Sequence, residues 1–116
     1  MKITGLPVLG KYNDLYSSKF KNKITDIYCP IGNNKIRKQY LSALKDEGDN
    51  IPSFFHHTVY IGPDVILGEA NYMLVGCSIM PHTTIGSYLM VNMNTTIGHH
   101  VNIGDGVFMS SGINLG

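Results

Sequence analysis

Cysteine is nearly absent. Cys29 and Cys77 are the only two in 116 residues, too few for a disulfide framework, and no Cys stands beside another at zinc-like spacing. Charge is also sparse, at 15% of residues with a formal net charge of +1. No block of like charges exists, so there is no electrostatic case for a nucleic-acid partner. Basic residues do crowd between Lys19 and Lys45, but Asp26, Asp46 and Glu47 alternate with them, which reads as a solvated face. The longest near-apolar run, Tyr72 to Met80, falls far short of the roughly 20 residues needed to span a bilayer. Met1 to Gly10 lacks the charged-then-apolar layout of a signal peptide. The expectation is a cytoplasmic chain with no membrane segment. Its 43% hydrophobic content suits one ordinary soluble domain.

What the chain does have is a strict beat of six. From Ile61 to Leu115 every sixth residue is aliphatic or Met: Ile61, Leu67, Met73, Ile79, Ile85, Val91, Ile97, Ile103, Met109 and Leu115. Gly follows six of these anchors, at Gly62, Gly68, Gly86, Gly98, Gly104 and Gly116. Neither the helical turn nor a heptad returns to one face after six steps. The pattern predicts a parallel β-helix of hexapeptide repeats, about three coils long.

With three strands to a coil, residues eighteen apart stack. The predicted core columns are Ile61, Ile79, Ile97 and Leu115; Leu67, Ile85 and Ile103; Met73, Val91 and Met109. Four residues after each anchor a second inward position holds mostly small or β-branched residues, from Val65 to Ile113, as a narrow interior demands. Asn71 is the exception, and inside a core it needs a hydrogen-bond partner. Gly after an anchor predicts a tight corner. Leu74 and Met80 break that rule, which predicts distortion in one coil. The final turn is expected to leave Met109 and Leu115 uncovered.

The first half reads differently. Ile24 to Ile31 is β-prone, with Leu6 to Leu9 as a second strand candidate, and a helix follows Gly32-Asn33-Asn34 with Ile36, Tyr40, Leu41 and Leu44 on one face. Asn33 or Asn34 is its expected N-cap and Gly48 its C-cap. The Gly32-Asn33 turn at a helix start has two readings, a phosphate or substrate contact through free N–H groups, or a simple cap. Residues 49–53 form a polar linker, which divides the chain into an α/β unit at 1–54 and a β-helix at 55–116.

The words around the repeat carry a family likeness. Thr4-Gly5-Leu6-Pro7-Val8-Leu9-Gly10, Ile31-Gly32-Asn33-Asn34 with Arg37, and Thr96-Ile97-Gly98-His99 leading to Ile103-Gly104-Asp105 stand in an order that resembles bacterial sugar acetyltransferases. That family includes sialic acid O-acetyltransferases and nucleotide-amino-sugar N-acetyltransferases of surface-glycan biosynthesis. The resemblance implies a partial Rossmann-like domain for the sugar nucleotide, joined to a left-handed β-helix that forms a homotrimer and binds acetyl-CoA. It also implies that His99 is the general base. An acceptor hydroxyl or amine loses a proton as it attacks a thioester carbonyl, and imidazole, with a reference pKa of about 6.5, suits that task.

Other site readings follow from the resemblance. The family places an acid directly after the base, where this chain has His100, so Asp105 becomes the candidate carboxylate. Phe108 and Gly116 are the candidate coenzyme contacts. Asn92 and Asn94, just before the His99 word, either face the acceptor sugar or serve as corner residues tolerant of a left-handed backbone. His82 and His100 should stack on adjacent coils, but no third His completes a metal set, so no metal is expected. His56 and His57 read as structural residues at the entry to the first coil. The family's glycine-rich turn would precede Met1 and its oxyanion N–H would fall at position 117, so truncation at both ends is expected. The alternative reading is a non-catalytic β-helical oligomerisation module.

Overall fold

The computed structural model describes residues 1–20 and 23–116; positions 21 and 22, part of the basic stretch, lie outside the described residues. From Phe54 onward two-residue strands recur every six residues and pair in parallel with strands one coil away. They build three faces. One stacks Phe54–Phe55, Tyr72–Met73, Met90–Val91 and Phe108–Met109. The second stacks Tyr60–Ile61, Ser78–Ile79, Thr96–Ile97 and Asn114–Leu115. The third stacks Ile66–Leu67, Thr84–Ile85 and Asn102–Ile103. Every predicted column is present, and Phe55 extends the beat one step back by pairing with Met73.

The core follows from this register. Met73, Ile79, Ile85, Val91, Ile97, Ile103 and Met109 pack with Cys77 and Leu89 into one buried cluster. Burying each such aliphatic side chain contributes about 1.5–3 kcal/mol, the main force holding the coils together. Met109 is only 6% exposed, contrary to expectation, while Leu115 is 36% exposed; Ile113 packs against the same cluster.

The coil has a backbone rule that the glycines do not report. Three residues after every anchor from Ile61 to Met109 the backbone is left-handed: Asp64, Ala70, Gly76, His82, Tyr88, Asn94, His100, Gly106 and Gly112 all have φ between 51° and 76°. The glycines directly after anchors serve a different need. A Cβ on Gly68 would lie 2.6 Å from the carbonyl carbon of Gly86, and one on Gly62 would lie 2.9 Å from the Pro81 nitrogen. Gly62, Gly68, Gly86 and Gly98 permit close approach of successive coils. Leu74 and Met80 cause no distortion: their N–H groups donate to Val91 at 3.0 Å and Ile97 at 2.9 Å, in step with the ladder.

Polar residues inside the coil are satisfied in a repeating way. Asn71 Nδ2 donates to Gly86 O at 2.8 Å, Cys77 Sγ to Asn92 O at 3.0 Å, Thr83 Oγ1 to Gly98 O at 2.6 Å and Thr95 Oγ1 to Ser110 O at 2.9 Å. Each reaches the carbonyl fifteen residues on, where the chain leaves the strand. Asn71 also accepts from Leu89 N–H at 3.0 Å, which supplies the partner its burial demands.

The N-terminal segment packs on one corner of this coil. Lys2–Ile3 and Leu6–Pro7 form an exposed antiparallel hairpin through Thr4 and Gly5, both left-handed, and a short 3-10 helix spans Tyr12–Tyr16. Residues 24–31 form no strand, contrary to expectation; Ile27 N–H bonds the Asn50 carbonyl. Helix α1, Asn34–Asp46, begins where Asn33 Oδ1 accepts from Ile36 N–H at 3.0 Å. It ends one residue before the expected cap. Glu47 is the C-cap, and Gly48, at φ 87°, lies just beyond it. Gly48 N–H bonds Lys45 O and Asp49 N–H bonds Leu44 O, the pair of contacts that seals a left-handed helix end.

The buried face of α1 is also rotated from expectation. Arg37, Leu41 and Leu44 are buried, while Ile36 is 41% exposed. Leu41 and Leu44 pack with Ile51, Ala70 and Tyr88. Arg37 displaces Ile36 because its guanidinium reaches four carbonyls: Ile31 at 3.0 Å, Gly32 at 3.4 Å, Tyr88 at 3.1 Å and Val107 at 3.4 Å.

Candidate active site

The corner after Thr96–Ile97 carries His99 outward, away from the core and exposed to solvent. His99 Nδ1 lies 3.0 Å from His100 Nδ1, with the rings edge to face. Two such nitrogens meet at this distance only if one bears hydrogen and the other a lone pair, so the two rings take complementary tautomers when neutral. The His100 ring stacks on His82 at 4.9 Å, and His82 Nδ1 lies 3.5 Å from Asp64 Oδ2. Asp64, His82 and His100 thus climb one corner at steps of eighteen residues. Asp64 and His82 remain at least half exposed, so their attraction is largely screened by water.

The corner itself is held firmly. Gly98 N–H donates to Leu115 O, His100 N–H to Pro81 O at 3.2 Å, and Thr83 Oγ1 accepts from Val101 N–H at 3.2 Å. Gly116 passes directly over Gly98, with its Cα 3.1 Å from where a Cβ on Gly98 would stand. Gly98 is therefore required for the chain above to lie close to the residue preceding His99.

The other sequence candidates are spread over the remaining corners. Asp105 follows the third face rather than the second, and its Oδ1 accepts from Ser87 N–H at 2.7 Å. That carboxylate is engaged in the corner beneath α1 and does not accompany His99. Asn92 and Asn94 occupy the corner before the His99 strand; Asn94 has φ 56° and Asn92 O accepts from Cys77. Phe108 points outward from the first face and is 40% exposed, in one column with Phe54, Tyr72 and Met90. Gly32 and Asn33 stand at the start of α1, where the Asn33 side chain caps the helix and Gly32 O accepts from Arg37. His56 Nδ1 is bonded within its own corner, to Thr58 at 2.8 Å. Among the described residues no cluster of three or more metal-ligating side chains is formed.

Asp64 and Thr83 belong to the His99 corner and were not singled out from the sequence. The step of eighteen back from His82 leads to Asp64, and the step of fifteen back from Gly98 leads to Thr83. Both are arithmetic on the same repeat.

No family model matches the chain. Comparison with solved structures is more informative. The acetyltransferase domain of PglB from Neisseria gonorrhoeae FA1090, solved in complex with acetyl coenzyme A, superposes with a TM-score of 0.87 at 24% identity, over 99% of this chain and 55% of that one. The architecture is shared. WeeI from Acinetobacter baumannii AYE gives 0.85 at 23% identity, over 99% of this chain and 53% of that one. PerB from Caulobacter crescentus, solved with CoA and GDP-perosamine, gives 0.59 at 17% identity, over 98% of this chain and 75% of that one. The chain spans about half the length of PglB's domain and of WeeI. Among the described residues no helix is long and apolar enough to cross a membrane.

Proposed function

We propose that this chain belongs to the bacterial sugar acetyltransferases and takes part in acetyl-CoA-dependent acetylation of a sugar or nucleotide-linked amino sugar. The observation that carries the reading is His99: an exposed imidazole whose Nδ1 is engaged by His100, on a coil that shares its fold with an acetyl-CoA complex. With Nδ1–H donated to His100, the Nε2 of His99 holds a free lone pair and faces outward as a base. His100 then fills the orienting role that a carboxylate has in related sites.

The reaction follows from that arrangement. The acceptor amine or hydroxyl attacks the acetyl carbonyl, its proton passes to His99 Nε2, the carbon–sulfur bond breaks, and the proton returns to the departing thiolate. No covalent acyl-enzyme is required. In this reading the N-terminal unit at 1–54 contributes to holding the acceptor, and Asn92 and Asn94 contact its hydroxyls. Phe108 and Gly116 lie toward the coenzyme, and the active assembly is a cytoplasmic homotrimer. GDP-perosamine is a fitting first acceptor to test because PerB is seen with it.

The test is His99→Ala in active protein, followed by acetyl transfer to GDP-perosamine and to sialic acid. A general base contributes about 10² to 10⁴ in rate, so turnover should fall at least a hundredfold. Survival of transfer within about tenfold of the parent rate would sink the assignment, since that is below what a general base supplies.

A further inference from the structure

Thr83 is fully buried, and its hydroxyl closes both ends of the corner that carries His99. Oγ1 donates to the carbonyl of Gly98 at 2.6 Å, the residue before His99, and accepts from the N–H of Val101 at 3.2 Å, the residue after His100. One atom in the core thus determines where the exposed two-histidine segment leaves the coil and where it returns. Thr95 makes a comparable inward contact twelve residues further along: it is equally buried and donates to Ser110 O at 2.9 Å. Its corner does not bear His99.

We propose that Thr83 is a positioning residue for acetyl transfer, acting through His99 by fixing the Gly98–Val101 corner; this rests on His99 being the base. The physical argument concerns distance. Proton abstraction requires the base to stand within hydrogen-bond reach of the attacking group, and a misplacement of about 1 Å can cost a factor of about 10². Without the Thr83 hydroxyl, Gly98 O and Val101 N–H lose a buried partner and must seek others. The corner then shifts and moves both rings, because His99 and His100 lie between the two released points. The stacked His82 ring bears on the His100 ring and does not replace the bonds that Thr83 makes to Gly98 O and Val101 N–H.

The experiment compares Thr83→Val, Thr83→Ala, Thr83→Ser and Thr95→Val in the complete protein, with folding checked by circular dichroism. Ring nitrogen signals of labelled histidine report on the corner without any acceptor. The expected result is that Thr83→Val and Thr83→Ala shift the His99 and His100 signals, that Thr83→Ser restores them, and that Thr95→Val leaves them in place. Kinetics with acetyl-CoA and GDP-perosamine should show kcat lower by roughly 10- to 100-fold in Thr83→Val, with KM for acetyl-CoA changed less than about threefold. If Thr83→Val fails to fold, Thr83→Ala is read in its place. Ring signals that move no more in the Thr83 variants than in Thr95→Val overturn the inference. Should His99→Ala abolish transfer while Thr83→Val keeps kcat, the positioning role is wrong and the base stands. Should His99→Ala stay active, the base assignment fails and takes the positioning role with it.

Discussion

Asn71 offers a direct measure of how the coil handles polarity inside. It is fully buried, and its amide serves three backbone groups: Gly86 O at 2.8 Å, Gly68 O at 3.3 Å and Leu89 N–H at 3.0 Å. Asn71→Leu keeps the branched shape, with two methyl groups in place of the amide atoms, but removes every one of these contacts. Gly86 O keeps a bond from Gly68 N–H at 3.2 Å, but Leu89 N–H loses its partner; an unsatisfied buried backbone group costs about 1–3 kcal/mol, so the chain should lose about 2–3 kcal/mol. Asn71→Thr should be milder. At the equivalent position two thirds of a coil on, Thr83 both donates to the carbonyl fifteen residues ahead and accepts from the N–H eighteen ahead, so a Thr at 71 can serve Gly86 and Leu89 in the same way. Its expected cost is about 1 kcal/mol, mostly the weaker Gly68 contact and some lost volume. Urea unfolding monitored by circular dichroism separates the two, with a midpoint for Asn71→Leu well below that of Asn71→Thr. If the leucine variant is as stable as the threonine variant, the inward polar positions act by size alone and the hydrogen-bond reasoning is wrong.

Two further predictions concern the N-terminal segment. Arg37→Lys keeps the charge but cannot reach all four carbonyls at Ile31, Gly32, Tyr88 and Val107; at about 1–3 kcal/mol per orphaned carbonyl, it should lose at least about 2 kcal/mol in a urea titration. Equal stability of the two proteins would show that the fork of the guanidinium is dispensable. Burial pushes the Cys29 thiol and the Tyr72 phenol above their ordinary values of 9.0 and 10.0. The unfolded chain then releases those protons first, so stability should decline as pH rises past about 9. Tyr72→Phe should flatten that decline, and a urea midpoint in Tyr72→Phe that falls with pH as steeply as the parent's would refute the assignment.

The repeat was legible because each anchor column answers to one demand, a narrow apolar interior, and every coil poses that demand at the same step. Thus Ile79 sits on Ile61 and under Ile97, as counting predicts. The left-handed corners were hidden because six of the nine residues there are not Gly, so composition carries no signal of φ. The burial of Arg37 was missed for another reason. Its partners at Tyr88 and Val107 are backbone carbonyls more than fifty residues away, and a carbonyl leaves no trace in residue identity. The His99 corner was partly legible. Spacing brought His82 to His100, but proximity along the chain pointed to Asp105, whereas the carboxylate of that column is Asp64.

The left-handed positions also bear on how the His99 corner should be interpreted. A non-Gly residue with positive φ invites a functional reading, since such strain gathers at active sites. Here the inference fails for the backbone, because Asp64, Ala70, Tyr88 and Asn94 share the conformation of His100 as a condition of closing the coil. What differs is the side chain each corner presents. Beneath α1 the positions are Ala70, Tyr88 and Gly106, where the first two join the packed cluster of the helix and a Cβ on the third would meet Lys38 at 3.0 Å. On the corner of Asn94 they are Gly76 and Gly112, which lack side chains, and the Asn94 amide lies against Gly76. On the His99 corner they are Asp64, His82 and His100, three ionisable groups in one column. A β-helix needs no such column for stability: the Asp64–His82 contact is exposed and contributes at most about 1 kcal/mol. Closing the coil therefore does not account for this column, and under the proposed function it flanks the base at His99.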